Sequence, residues 1–198
     1  MPARFCCGQA HACSGPARSW QSAGVPPLRV AVNLSSRQFN QNTLLRTVVR
    51  ALKETGLHPR YLELELTESG IMHNEDAAIT LLKQLKTTGI RITIDDFGTG
   101  YSSLNHLKRF PIDALKIDRS FVRDLTHDPH DAAIVKAIVA MAHALQMQVI
   151  AEGVEDERQM IFLRKCRCDH AQGVFFSAPL PAEGLTDLLR EGGRWGHG

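Results

Sequence analysis

The sequence predicts an α/β fold built on a parallel sheet. Short β-forming runs alternate with helical patterns, and each strand and helix pair takes roughly 20–35 residues, the spacing of repeated βα units. Polar residues follow one predicted strand after another. The 198 residues are 43% apolar and 22% charged, so the chain can bury a sizeable core in one domain.

Six predicted strands are rich in β-branched and large apolar residues. They cover residues 28–34 (LRVAVNL), 61–66 (YLELEL), 91–94 (RITI), 113–117 (DALKI), 147–151 (MQVIA) and 170–176 (HAQGVFF).

Predicted helices connect these strands. Asn42 or Thr43 is a suitable N-cap for the first, Gly56 and Gly89 stand just past the ends of the first two, and Pro181 lies near the start of the last. The helices cover residues 42–56, 74–89, 103–110, about 130–145, 156–166 and 181–192.

Residues 1–16 show no periodicity and predict an atypical, disordered leader before a domain at 17–198. The net charge of +2 gives no argument for DNA, RNA or an anionic membrane as partner. The longest nearly apolar stretch, 133–145, contains a lysine and a histidine and is too short to span a bilayer. Five cysteines without a disulfide spacing, and no signal-peptide pattern, predict a cytoplasmic protein.

Polar side chains stand at or just after the predicted strands, where the loops of a parallel β/α fold share one face. Each residue alone is more simply a solvated acid, a surface lysine, a helix cap or a core amide. Their coincidence at one end of one sheet favours a functional site. The residues are Asn33, Glu65, Glu68, Asp95, Asp96, Lys116, Glu152, Glu155 and Gln172.

Oxygen ligands without histidine favour Mg²⁺ or Mn²⁺, with Ca²⁺ as a competitor, over Zn²⁺. Adjacent Asp95 and Asp96 could serve two ions through one bridging carboxylate, a device for phosphodiester hydrolysis. Lys116 could then hydrogen-bond the attacking water or stabilise the phosphoryl oxygens. Gly98 and Gly100 would form a flexible wall over the ions.

These motifs resemble the EAL domain, the cyclic di-GMP phosphodiesterase family, from about Trp20 to Leu189. The matching motifs are VNLS (32–35), ELTES (65–69), IDDFGTGYSSL (94–104), LKID (115–118), AEGVE (151–155), QG (172–173) and SAPLP (177–181). The resemblance implies a (β/α)₈ TIM-like barrel that hydrolyses cyclic di-GMP to the linear dinucleotide pGpG with two metal ions. It allows a homodimer through the barrel.

The resemblance also implies roles for single residues. Lys116 matches the lysine that contacts the catalytic water, Gln172 an active-site glutamine, Glu68 the acid that supports the DFGTGYSS loop, and Glu155 a second acid of the site. Glu152 serves both as metal ligand and in catalysis. The implied metal ligands are Asn33, Glu65, Asp95, Asp96 and Glu152, with Asp95 as the bridge.

The sequence departs from the family pattern in three ways. No Glu-Ala-Leu motif, whose glutamate is a metal ligand, occurs upstream of Asn33, about six of the eight strands are present, and Val174 replaces the usual tyrosine. We therefore expect a fragment with impaired hydrolysis, or a barrel completed by a partner chain. Two other functions stay open: a non-catalytic cyclic di-GMP receptor, and a Schiff-base enzyme using Lys116, although the surrounding acids should keep that lysine protonated.

Overall fold

Within the residues that the structure describes, seven parallel strands form one sheet whose strand order follows the chain. The computed structural model describes residues 4–7, 28–41, 43–71, 74–98, 107–181 and 184. The strands are β1 (Arg4–Cys7), β2 (Arg29–Leu34), β3 (Leu62–Thr67), β4 (Arg91–Phe97), β5 (Ala114–Ile117), β6 (Gln148–Ala151) and β7 (His170–Ala171). All six predicted strands are present, which confirms the parallel α/β fold.

Helices link the strands. They are α1 (Ser36–Phe39), α2 (Leu44–Thr55), α3 (Glu68–Ile71), α4 (Glu75–Thr87), α5 (Arg119–Arg123), α6 (Pro129–Ala144) and α7 (Glu157–Lys165), with a 3₁₀ turn at Pro59–Tyr61. The longer helices lie where the sequence predicts them, whereas the short ones carry too little periodicity to be predicted. The predicted helices at 103–110 and 181–192 fall largely outside the described residues. None of the described helices combines the length and apolar character needed to cross a bilayer.

Local signals fix several helix ends. Asp156 and Gln159 form a reciprocal capping box at the start of α7, and the Asn74 side chain accepts a main-chain hydrogen bond in the first turn of α4. Such caps contribute about 1 kcal/mol each. Thr43 occupies the N-cap of α2 but makes no side-chain cap bond, while Gly56 ends this helix in the left-handed region at φ +66°, as predicted.

The structure differs from the predicted leader at Arg4–Cys7. These four residues form β1, which pairs in parallel with the first four residues of β2. This pairing supplies hydrogen-bond partners to the backbone along the edge of β2, which would otherwise be unpaired. A run of four residues is too short for its periodicity to predict a strand. The rest of 1–16 lies outside the described residues, and the domain boundary at residue 17 stays a prediction.

Two other strands differ in length from the prediction. β4 continues to Phe97 instead of ending at residue 94, because its pairing resumes after an irregularity described below. β7 is limited to His170–Ala171, because the following residues turn and bond to the main chain of Val154.

The sheet has one apolar and one polar face. Leu64 and Ile92 are at most 2% exposed and belong to the same buried cluster as Leu82 of α4, on the helix side. On the other face, Lys116 of β5 reaches Glu65 of β3 across the intervening strand. Strands two positions apart are separated by about 9.6 Å, a gap that the long side chains of Lys116 and Glu65 bridge over the polar face. The arrangement is that of a partial (β/α)₈ barrel with polar residues in its interior.

Candidate functional site

Lys116 lies at the centre of the polar face among three carboxylates. Its Nζ is 3.1 Å from Glu65 Oε2, 2.9 Å from Asp95 Oδ1 and 2.5 Å from Glu152 Oε1. Burial by itself lowers the pKa of Lys116, but Glu65, Glu152 and Asp95 outweigh it and hold the pKa above its ordinary value. Lys116 is therefore a buried cation, as expected. A protonated amine is not a nucleophile, which argues against the Schiff-base alternative.

Strand register brings the ligand candidates together. Asn33 of β2 lies directly opposite Glu65 of β3. Ile150 lies opposite Lys116, and Glu152 follows the last residue of β6. These side chains meet because parallel strands place their carboxyl ends at the same edge of the sheet.

Asp95 and Asp96 lie at a break in the pairing of β4 with β5. The register is regular through Ile94 and shifts before Phe97, and Asp96 has φ +54°. Successive side chains of a regular strand point to opposite faces, whereas a bulge redirects one of them. Carboxylate oxygens of Asp95, Asp96 and Glu152 consequently lie within 4.8 Å of one another. The irregularity explains how two adjacent acids can share one site.

Asp118 is a further functional candidate, which the pattern of polar residues at strand ends does not single out. It directly follows β5, caps α5 by accepting a hydrogen bond from the main-chain nitrogen of Ser120, and lies close enough to Asp96 to affect its pKa. Burial, Asp95 and Asp118 raise the pKa of Asp96. Burial also acts to raise the pKa of Asp118, but hydrogen bonds from Ser120 lower it overall. Asp96 is therefore the member of the pair that holds a proton more readily. In the sequence, Asp118 could have been found from its position at a strand end, as the last residue of the LKID motif.

The Asn33 side chain points at two of these carboxylates. With its amide nitrogen turned toward them, it donates to Glu65 Oε2 at 3.1 Å and to Asp95 Oδ2 at 3.2 Å. Turned the other way, its oxygen would face two carboxylate oxygens and would need a cation between them. Burial raises the pKa of Glu152, an effect that Lys116 partly offsets. This all-oxygen donor set fits a hard divalent cation.

Glu68, Gln172 and Glu155 occupy different surroundings. Glu68 is buried, and its Oε2 accepts a hydrogen bond of 3.3 Å from the main-chain nitrogen of Gly98 at the start of the loop after β4. Gln172 is exposed, and its main-chain nitrogen donates to Ala151 beside the site. Glu155 is also exposed. In the part of the chain that the structure describes, its contacts are with the cap of α7 and the charge of Arg123 and do not join it to the acids. Gly100 and the rest of the loop lie outside the described residues.

Gly173 allows the QG segment to lie against the AEGVE segment. A Cβ at Gly173 would lie 2.0 Å from the carbonyl oxygen of Val154. Gly153 has φ +68°, and a Cβ there would lie 2.7 Å from Arg119 Cβ. Both motifs therefore need glycine to bring Glu152 and Gln172 to the same end of the sheet.

Known proteins resemble this chain in sequence and structure. The EAL domain family model matches residues 9–179. Cyclic di-GMP phosphodiesterase NbdA of Pseudomonas aeruginosa is 47% identical over 173 residues, which are 87% of this chain but only 22% of NbdA. The EAL domain of Mycobacterium smegmatis DcpA has a TM-score of 0.88 at 38% identity, covering 94% of this chain and 83% of that one. The PaMucR phosphodiesterase in complex with c-di-GMP has a TM-score of 0.85 at 47% identity, and the match covers 89% of this chain and 71% of the PaMucR chain.

Proposed function

Because the chain belongs to the EAL domain family, we propose that it carries the central part of a cyclic di-GMP phosphodiesterase site. The reaction would hydrolyse cyclic di-GMP to the linear dinucleotide pGpG. The observation that supports this most is Lys116, a buried cation held between Glu65, Asp95 and Glu152 at the carboxyl end of the strands. The names of NbdA and PaMucR, both phosphodiesterases, support the same reaction.

EAL phosphodiesterases depend on metal, and an acidic cluster suited to a cation is present here. We propose Mg²⁺ or Mn²⁺, with two ions in the complete site. When bound, they would activate a water molecule and offset the negative charge that develops on the phosphoryl group. The residues that would hold them are Asn33, Glu65, Asp95, Asp96 and Glu152.

The other residues act on the phosphodiester and the water. Lys116 would hydrogen-bond the attacking water or a phosphoryl oxygen, which stabilises the developing charge. Glu152, whose pKa is raised by burial, is the carboxylate best suited to accept the proton of the water. A new bond from the water oxygen to phosphorus replaces the bond to one ribose 3′ oxygen, which takes up a proton from solvent and leaves as a hydroxyl. Gln172 would contact the substrate at the same end of the sheet.

Three further roles complete the proposal. Glu68 would hold the start of the loop after β4 through its hydrogen bond with Gly98. Glu155, as a second acid, would act from outside the cluster, and Asp118 would keep the pKa of Asp96 above its ordinary value. Cyclic di-GMP is the proposed partner, in a cytoplasmic setting, with a homodimer through the barrel as the proposed assembly.

The test is conversion of cyclic di-GMP to pGpG, followed by chromatography. We would assay the 198-residue chain and a version extended upstream with the Glu-Ala-Leu strand of NbdA, each with Mg²⁺, Mn²⁺ or EDTA. We expect metal-dependent turnover in the extended version, and its loss in Asp95→Asn. Metal-independent binding of cyclic di-GMP without turnover in a folded extended version would favour the receptor alternative.

A further inference from the structure

A cationic cavity lies at the opposite end of the strands. Its volume is about 350 Å³, and its lining includes Arg29, Arg60, Tyr61, Lys86 and Arg91. Arg29 and Arg91 begin β2 and β4, whereas the metal-ligand candidates on these strands stand four residues further along. At about 3.3 Å per residue, the cavity is about 13 Å from the acidic cluster. It is therefore a separate site.

Ordered elements hold the cations around this cavity. Arg60 lies on the 3₁₀ turn, which packs against β2 and β4. Lys86 lies in the last turn of α4, and Arg91 is the first residue of β4. Their positions are set by the sheet and its connections, which gives the cavity a fixed shape.

Two of the cations have carboxylate partners. Arg29 Nη1 lies 3.5 Å from Glu63 Oε2. Lys86 Nζ lies 2.7 and 2.8 Å from the two carboxylate oxygens of Asp113. These two pairs balance their own charges and leave the charge of the cavity to its other two arginines.

Arg60 and Arg91 have neutral partners among the described residues. Arg60 Nη2 donates to Tyr61 Oη at 2.7 Å, and its guanidinium lies 4.7 Å from the Tyr61 ring centroid. Arg91 Nη2 donates to Gln148 Oε1 at 2.6 Å. Among the described residues that line the cavity, Arg60 and Arg91 are thus the two cations without a carboxylate partner.

Arg91 carries a second signal. Its Nε is buried and has no hydrogen-bond partner among the described residues. Buried donors are nearly always paired in folded proteins, so an unpaired one needs an explanation such as a missing ligand. A guanidinium also presents its donors in a planar fork that matches a phosphate group.

We propose that this cavity binds the phosphate group of a small molecule. Its volume is in the range of small-molecule sites and is too small for a folded partner. A phosphate monoester near neutral pH carries nearly two negative charges, which match the two unbalanced arginines. Its oxygens would accept hydrogen bonds from the guanidinium groups of Arg60 and Arg91 that line the cavity.

Titration calorimetry with pyrophosphate as the probe tests this proposal. The full chain is used in EDTA at low salt, so that metal at the acidic cluster does not contribute. We expect saturable binding with one site, and weakening of about tenfold or more in both Arg60→Gln and Arg91→Gln, because each removes a charge-assisted hydrogen bond. Arg50→Gln, an exposed arginine of α2 paired with Glu54, is the matched control and should bind like the unchanged chain.

Three results would overturn the proposal. One is the absence of saturable binding, and another is an equal loss in Arg50→Gln, which would indicate general charge attraction. The third is citrate binding as tightly as pyrophosphate, which would remove the phosphate preference. Circular dichroism checks that each variant is folded. If Arg91→Gln is unfolded, the test relies on Arg60→Gln, because Arg60 is exposed and its replacement should not disturb the fold. Failure here leaves the proposed phosphodiesterase intact, since that function is measured by turnover at the other end of the strands.

Discussion

Lys116 Nζ lies 2.5 Å from Glu152 Oε1 and so joins the middle of β5 to the residue that follows β6. Glu65 and Asp95 contact the same nitrogen atom from the other side of the site. Lys116 thus neutralises part of the negative charge that the strand ends bring together. Lys116 therefore contributes to the stability of this end of the sheet, since removing one partner of a buried ion pair costs about 3–5 kcal/mol.

Replacing this lysine should affect both stability and turnover. We expect Lys116→Ala to lower the free energy of unfolding by about 3 kcal/mol, because three carboxylates lose their counterion. In the extended version, kcat should fall by orders of magnitude with little change in cyclic di-GMP affinity, since the contact acts in the transition state. Urea denaturation and steady-state kinetics measure the two effects. Exposed Lys53→Ala is the control, and near-normal turnover in Lys116→Ala would contradict the role.

Divalent metal should stabilise the folded chain. An ion that binds only the native state at one hundred times its Kd adds about 2.7 kcal/mol. We therefore expect Mn²⁺ or Mg²⁺ to raise the Tm, and Asp95→Asn to abolish most of this increase. Asp124→Asn, which removes a half-buried acid that pairs with Arg123 outside the site, should leave the increase unchanged. An unchanged Tm at saturating Mn²⁺ would count against the metal site.

Gly173→Ala should be strongly destabilising. The added methyl group would overlap the carbonyl oxygen of Val154 at 2.0 Å, so the segments on both sides must separate. Gly56→Ala is a useful comparison because nothing lies within 4 Å of its Cβ position, and its left-handed φ alone costs about 1–2 kcal/mol. Chemical denaturation should show the larger loss for Gly173→Ala. Similar losses in the two variants would mean that the close approach is relieved at little cost.

Glu68→Gln should loosen the start of the loop after β4. Neutralising the side chain weakens the hydrogen bond that Gly98 donates to it, since bonds to charged acceptors are stronger than neutral ones. We expect faster amide hydrogen exchange at Gly98, measured by mass spectrometry or NMR. Exposed Glu54→Gln serves as the control, and unchanged exchange at Gly98 would rule out the support role.

Cys168 should make stability depend on pH above 9. Burial raises the pKa of its thiol from 9.0 to about 12, and its Sγ lies 3.3 Å from the His170 carbonyl oxygen. The unfolded thiol therefore ionises first, so stability is intact below pH 9 and falls as pH rises toward 12. Between pH 9 and pH 10 the free energy of unfolding should fall by about 1 kcal/mol because of this thiol. Urea denaturation should show a shallower alkaline decline for Cys168→Ala, and parallel pH profiles would contradict the assignment.

The strand ends were predictable from the sequence because apolar β-forming runs lead directly to Glu65 and Glu152. The break at Asp95 and Asp96 was not, because it depends on how β4 pairs with β5, which is a non-local property. β1 escaped prediction because four residues carry no usable period. Asp118 was not selected because Lys116, two residues earlier, already supplied a polar group at the end of the predicted strand 113–117, and the helix that Asp118 caps is too short to predict.

Because strand order follows chain order, the ligand candidates are spread from Asn33 on β2 to Glu152 beyond β6. No short segment of the polypeptide carries the set, and the site cannot be transplanted as a single loop or hairpin. Its assembly needs contacts between residues far apart in sequence, and such contacts form late and slowly during folding. Metal binding would therefore indicate that the strands from β2 to β6 have assembled. A nascent chain would bind metal only after β6 has joined the sheet.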